Sequence, residues 1–143
     1  MLLLDTDHLT LLQHASGDRF ERLRSRLHAV AGVETVCASI ISIEEQMRGW
    51  MSVIAKEKSV ERQISAFCEL GNLFTFYARF QCLPFEEDAA HRSSSLHTAK
   101  IRLGTMDLKI AAKALVHRAK VLSANSRDFV QVPGLVVENL LDP

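Results

Sequence analysis

Short apolar runs alternate along this chain with longer stretches in which apolar residues recur every three or four positions. The first pattern predicts strands buried on both faces, and the second predicts the helices that cover them. Strands are predicted at Leu2–Leu4, ending at Asp5, and at Val36–Ile40, closing at Ser42. Three more are predicted at Phe80–Leu83, at Lys120–Leu122 and at Leu135–Val137, the last set off by Pro133-Gly134.

A helix capped by Asp18 is predicted to run to about Val30, and one capped by Ser42 to carry Glu44, Glu45, Met47 and Trp50. Val60, Ile64, Phe67, Gly71, Phe74 and Ala78 recur at spacings of four and three, which predicts a long helix with one apolar face. Two further helical segments span about Glu86 to Arg102 and Met106 to Arg118. In the second, Leu108, Ala111, Ala112, Leu115, Val116 and Ala119 hold the helical period throughout. Phe74, Phe76, Tyr77 and Trp50 are expected in the core. The alternation predicts an α/β fold, a three-layer α/β/α sandwich with a mostly parallel central sheet of about five strands. The length of 143 residues suits one domain over residues 1–143.

Charge narrows the function. Seventeen Lys and Arg balance seventeen Asp and Glu, which excludes a polybasic protein that holds nucleic acid by bulk attraction to phosphate. No apolar run approaches the ~20 residues that span a bilayer. Met1-Leu2-Leu3-Leu4 meets Asp5 with no basic segment or signal core, so no membrane association and a cytoplasmic location are expected. Cys37, Cys68 and Cys82 are odd in number and sit among apolar neighbours, so buried thiols are expected rather than a disulfide or zinc site.

In open parallel sheets ligands sit beyond the carboxyl ends of the strands. Asp5 follows the first predicted strand, Glu45 lies in the first turn after the second, Asp107 opens the Ala-rich helix, and Asp128 sits just after the fourth strand. Each has an ordinary structural reading. Asp5 and Asp107 suit helix N-termini, Glu45 suits a solvated helix face, and Asn125-Ser126-Arg127-Asp128 suits a one-turn capping arrangement. Together they are a different matter, because four neighbouring carboxylates raise one another's pKa unless a cation joins them. Mg²⁺ and Mn²⁺ favour oxygen ligands, and a phosphodiester is the substrate such a site suits.

The local contexts of these four acids resemble the PIN-domain family, especially the VapC-like ribonuclease toxins of bacterial toxin–antitoxin pairs. Leu3-Leu4-Asp5-Thr6-Asp7 is similar to the family's apolar strand followed by Asp-Thr-Asn. Ile41-Ser42-Ile43-Glu44-Glu45-Gln46-Met47-Arg48-Gly49 is similar to its Ser, apolar residues and Glu with Gly four positions later, a spacing that selects Glu45 over Glu44. Asp107-Leu108-Lys109-Ile110-Ala111-Ala112 resembles Asp-x-x-Ile-Ala-Ala, and Leu122-Ser123-Ala124-Asn125-Ser126-Arg127-Asp128-Phe129 resembles Leu-x-Thr-x-Asn-x-x-Asp-Phe.

The resemblance implies that Asp5, Glu45, Asp107 and Asp128 bind Mg²⁺ or Mn²⁺ and hydrolyse single-stranded or looped RNA. It implies hydroxyls from Thr6 and Ser123 near the scissile phosphate or the metal waters, and Asn125 as a brace for its loop. It also implies homodimers and a small cognate antitoxin whose tail lies across the acidic groove. Two positions depart from the pattern: Asp7 stands for Asn, adding a carboxylate that either joins the metal site or points outward as a cap, and Ser123 stands for Thr. Arg48, Lys109 and Lys113 lie a turn or so from the acids, where they could hold a phosphate backbone. Arg19, Arg22, Arg24 and Arg26 are expected on a solvated face, with an RNA or partner patch as the alternative. Asp107 reaches the other acids only if the turn at Gly104 returns the chain to the carboxyl edge.

Other readings are weaker. Asp5-Thr6-Asp7 also resembles the Asp-x-Asp of haloacid-dehalogenase-like phosphatases, but no later Gly-Asp pair accompanies it. Leu83-Pro84-Phe85 offers no phosphoacceptor for a receiver domain. The six histidines follow no metal spacing, and no Gly-x-Ser-x-Gly elbow is present. A catalytically silent PIN-like scaffold that binds RNA or protein would be favoured by loss of one acid, and none is lost. Setting aside the four acids leaves thirteen acidic residues against seventeen basic ones, eleven of them Arg. The neutral total is therefore compatible with an acidic pocket in a mildly basic body that meets RNA.

Overall fold

The computed structural model describes residues 1–143. Strands β1 (Leu2–Leu4), β2 (Val36–Ser39), β3 (Gln81–Leu83), β4 (Lys120–Leu122) and β5 (Val137–Glu138) form one wholly parallel sheet in the order β3-β2-β1-β4-β5. Helices α1 (Thr6–His14), α2 (Asp18–Ala29), α3 (Ile40–Lys56), α4 (Val60–Tyr77), α5 (Glu87–Thr98), α6 (Thr105–His117) and α7 (Ser126–Phe129) connect them.

Side chains alternate across the pleat, so each strand feeds two cores. Leu3, Cys37, Leu83 and Val121 point to the face covered by α5, α6 and α7, where they meet Leu96, Leu108, Ile110, Ala111 and Phe129. Leu2, Leu4, Ala38 and Leu122 point to the other face, where they meet Leu9, Leu23, Leu73, Phe76 and Tyr77 of α1, α2 and α4. Phe129 is fully buried beside Val132 and anchors α7, the short helix that carries Asp128. Phe129→Ala is expected to cost about 3–5 kcal/mol, read as a lower midpoint in denaturant unfolding.

Several elements start or end away from their predicted limits, each for a local reason. Ser39, not Ser42, caps α3: its Oγ accepts the Ile41 N–H at 3.1 Å, so the helix begins as soon as β2 ends and Ser42 is buried in its first turn. Asp18 is the first residue of α2 rather than its cap, a place held by Gly17 at φ +88°. The chain turns at Gly134, where the Leu135 N–H bonds the Val132 carbonyl at 3.2 Å, and β5 pairs only from Val137.

The predicted apolar face of α4 is the solvent face. Val60, Ile64, Phe67 and Phe74 are 54–72% exposed. The helix instead packs through Ala66, Leu73, Phe76 and Tyr77, whose hydroxyl bonds Gln46 of α3. Trp50 is half-buried beside them. Cys37 is buried as expected, whereas Cys68 on α4 and Cys82 on the edge strand β3 are exposed; all three thiols are free.

The basic stretch of α2 is neither a bare solvated face nor a free patch. Arg19 pairs with Asp142 at 2.7 Å, Arg22 donates to the Leu141 carbonyl and Arg26 donates to the Asp142 carbonyl at 3.0 Å. These arginines strap down the C-terminal segment, whose Leu140 and Leu141 are buried in the core. Arg24 pairs with Glu21 within the helix.

Helices α5 and α6 pack together, and the loop between them returns the chain to the carboxyl edge of the sheet. The residue in the left-handed region of that loop is Lys100, at φ +57°, while Gly104 has an ordinary φ of −59° and simply caps α6.

Candidate active site

The strand order reverses at β1: one connection leads out to β2 and β3, and the return leads through β4 to β5. A crevice opens beyond the carboxyl ends of β1 and β4 at such a switch point. Asp5 stands there. Its N–H still bonds the Leu122 carbonyl of β4 at 2.9 Å, its Oδ1 accepts the Thr6 N–H at 2.7 Å at the start of α1, and its Oδ2 accepts the Ser123 hydroxyl at 2.7 Å. The helix-cap and site readings of Asp5 are thus compatible, because the cap aims the carboxylate. Only 6% of the residue is exposed. Burial, then the Asp7 charge, then Asp107 push its carboxyl up from 3.8 to about 6 against the two hydrogen bonds.

Glu45 is brought to the same crevice by the first turns of α3. Thr6 Oγ1 donates to Glu45 Oε2 at 2.8 Å and lies 3.1 Å from Ser42 Oγ. The Thr6 hydroxyl, expected to face a phosphate or metal water, is engaged in orienting Glu45. Ser42 joins it as a contributor that spacing alone does not reveal, since its buried hydroxyl looks like any helix-start serine.

Asp107 lies in the first turn of α6, partly buried. Burial raises its carboxyl above the ordinary range, and the charges of Glu45, Asp7 and Asp128 add to the rise. Asp128 is exposed in the first turn of α7. Each of the four acids therefore lies within electrostatic reach of Asp107 or is reached through it.

Asp7 neither caps outward nor hangs free in the crevice. Burial alone would raise its carboxyl, but the hydrogen bond and charge of His8 and the Ala124 N–H together hold it below the usual range. Ser123 is fully buried, and its Oγ also accepts the Asn125 N–H at 3.0 Å. Asn125 braces the loop through its backbone, since its carbonyl accepts the Asp128 N–H at 3.1 Å while its side chain makes no capping bond.

Of the three cations expected near phosphate, two have charges that reach the carboxylates on the α3 side of the site, Arg48 those of Glu44 and Glu45 and Lys109 that of Glu44. Arg48 is exposed, pairs with Glu44 at 2.7 Å and lies 3.6 Å from the Met106 sulfur at the start of α6. Lys109 Nζ stands 6.0 Å from the centre of the Phe85 ring. Lys113 is the exception: its side chain is fully buried, with Nζ 3.8 Å from Glu86 and no hydrogen-bond partner. It sits on the inward face of α6, a turn beyond Lys109, and has no route to a phosphate.

No three His, Cys, Asp or Glu side chains stand ready to enclose one ion. The donor set nonetheless suits a hard divalent cation: hard carboxylate oxygens, two of them with raised pKa through burial and mutual repulsion. Mg²⁺ commonly takes only one or two carboxylates and keeps its waters, so a closed cage is not required.

A family model, the PIN domain, matches residues 2–135. The chain belongs to the PIN domain family. A sequence search of curated proteins finds no match. Among solved structures, this PIN domain is similar to DNA-bound VapBC from Salmonella typhimurium, with TM-score 0.74, 23% identity and 97% of each chain covered. It is likewise similar to VapBC-1 from nontypeable Haemophilus influenzae, with TM-score 0.75, 18% identity, and 99% of this chain and 98% of that one covered. FitAcB from Neisseria gonorrhoeae gives TM-score 0.70 and 23% identity with 98% of each chain covered. At these identities the likeness is one of fold, and it extends over nearly the whole of the chain. No helix of the PIN domain is long and apolar enough to cross a membrane.

Proposed function

We propose that this PIN domain is the toxin of a VapC-like toxin–antitoxin pair, a metal-dependent endoribonuclease held inactive by a cognate antitoxin. The observation that carries the reading is the gathering of Asp5, Glu45, Asp107 and Asp128 about the switch point, where burial first and neighbouring carboxylates second raise the carboxyls of Asp5 and Asp107. Asp5 and Asp107, with Glu45 and Asp128 beside them, would hold Mg²⁺ or Mn²⁺, which when bound supplies an activated water and neutralises charge on a phosphodiester during in-line displacement. Ser123 holds the Asp5 carboxylate in place, and Thr6 with Ser42 does the same for Glu45. Arg48 and Lys109, whose charges reach the carboxylates of α3, would take the RNA backbone on either side of the cut.

Two surfaces support the expected partners. A groove of about 950 Å³ between α1, α3 and α4, with Trp50, Val53, Leu73 and Phe76 set among polar residues such as Gln13, Gln46, Glu69 and Arg79, would receive an amphipathic segment of the antitoxin. The exposed Val60, Ile64, Phe67 and Phe74 of α4 supply the apolar area that a homodimer would bury. Light scattering at micromolar concentration is expected to give a dimer mass that falls to a monomer on Phe67→Asp. A wild-type monomer would exclude the dimer.

The nuclease itself is tested with purified protein freed of its antitoxin, on a panel of structured and single-stranded RNAs with Mg²⁺, Mn²⁺ or EDTA. Cleavage that requires the metal and is lost in Asp107→Asn is the expected result. Mn²⁺ binding by calorimetry without cleavage of any RNA would instead favour a silent scaffold.

A further inference from the structure

The buried His8 is used by nothing in the proposed mechanism. It is fully enclosed, its Nδ1 lies 2.7 Å from Asp7 Oδ1, and its Nε2 has no hydrogen-bond partner. A carboxylate only accepts, so the Nδ1 that faces it carries a proton and donates it. The His8 N–H donates to the same oxygen, so Oδ1 is held by two donors from α1.

Asp7 Oδ2 reaches the other way, across to the loop after β4, and accepts the Ala124 N–H at 2.7 Å. It also lies 3.4 Å from Ser123 Oγ. Ser123 has one hydroxyl proton and a shorter bond, 2.7 Å, to Asp5 Oδ2, so that proton belongs to Asp5. Asp7 therefore holds Ser123 through the next residue's backbone, not through the hydroxyl. The result is a continuous chain: His8 ring to Asp7, Asp7 to the Ala124 amide, and Ser123 hydroxyl to Asp5.

We propose that Asp7 and His8 form a positioning pair that clamps the loop after β4 and thereby aims the Ser123 hydroxyl at Asp5, rather than adding a fifth carboxylate to the metal site. The geometry explains both features that the acidic cluster leaves over. Asp7 has each oxygen engaged by a protein donor, Oδ1 by His8 and Oδ2 by the Ala124 N–H, and the buried His8 ring finds in Asp7 its one hydrogen-bond partner. Asp7 and His8 stand behind Ser123, which itself bonds Asp5, and loss of such outer partners typically costs 10–100-fold in metal affinity or activity.

The catalytic part of the inference rests on the ribonuclease reading, so its test has an arm that does not. His8→Leu keeps the volume and removes the donor, whereas His8→Asn keeps a donor near the Nδ1 position. In metal-free protein, amide exchange at Ala124 is expected to be at least tenfold faster in His8→Leu and close to wild type in His8→Asn. Mn²⁺ affinity by calorimetry is expected to fall by no more than about tenfold in His8→Leu and to stay near wild type in His8→Asn, since no metal ligand changes. In RNA cleavage, kcat is expected to fall about tenfold in His8→Leu with KM within twofold, and to recover in His8→Asn. Unchanged Ala124 exchange in His8→Leu would overturn the clamp. Altered exchange with unchanged kcat would overturn the positioning role, and a large loss of Mn²⁺ affinity in Asp7→Asn would return Asp7 to the metal site. Wild-type protein that cleaves no RNA would remove the ribonuclease reading while the exchange comparison still decides the clamp.

Discussion

Asp5→Asn is expected to do two opposite things: abolish RNA cleavage and make the metal-free protein more stable. The loss comes from removing a buried oxygen ligand whose cation would neutralise transition-state charge, worth several kcal/mol and so roughly a thousandfold or more in rate. The gain follows from linkage. The folded carboxyl titrates near 6 and the unfolded one near 3.8. A raised folded value contributes stability that is complete below the unfolded pKa and is lost as pH climbs through the folded one. At pH 7 that contribution is gone, and the buried charge leaves the apo fold about 3 kcal/mol worse than an unperturbed Asp would. Asn removes the charge but reshuffles the bonds to Thr6 and Ser123, so a net gain of about 1–2 kcal/mol is expected. In differential scanning fluorimetry with EDTA that is a rise of about 2–6 °C. Saturating Mn²⁺ is expected to reverse the order, because only wild type has the full ligand set to bind it.

The second large effect is on pH. Protons and the metal compete for Asp5, and its carboxyl titrates near 6 with Asp107 also raised. At a fixed, limiting Mn²⁺ concentration the cleavage rate is expected to be flat above about pH 7 and to fall about tenfold per unit below about pH 6. Raising Mn²⁺ is expected to shift the fall to lower pH, since the cation then outcompetes the proton. A rate independent of pH between 5 and 7 at limiting metal would mean that Asp5 is not titrating against the ion.

The strands were readable because a parallel sheet buried on both faces writes itself as short unbroken apolar runs, and Leu2–Leu4 and Lys120–Leu122 are bounded where expected. The helix after β2 was misplaced by three residues because Ser39 and Ser42 are both plausible caps, and only the strand's end decides between them. Helix α4 shows a deeper limit. Periodicity picks out the Val60, Ile64, Phe67 and Phe74 stripe, whereas the helix packs through Ala66, Leu73, Phe76 and Tyr77 on another face. The stripe that sequence predicts as the packed face lies on the solvent side.

At the candidate site, Asp5, Asp107 and Asp128 stand where sequence suggests, just after a strand or in the first turn of a helix, while Glu45 falls in the second turn of α3 because that helix starts earlier than the Ser42 cap predicts. The supports of these acids were not legible. Thr6 was expected at the substrate and instead orients Glu45, Lys113 was expected near phosphate and is buried, and His8 follows no spacing rule at all. Each of these depends on which way one side chain turns within an element, a choice made by tertiary packing and invisible to any one-dimensional pattern.

Metal-dependent cleavage is tested most directly by one titration: initial rates of RNA cleavage by antitoxin-free wild type and Asp107→Asn as Mn²⁺ is raised from an EDTA-treated baseline. The expected result is a rate that rises from zero and saturates in wild type, with Asp107→Asn flat across the range. Cleavage that persists in EDTA, or an Asp107→Asn curve that overlays wild type, would contradict it.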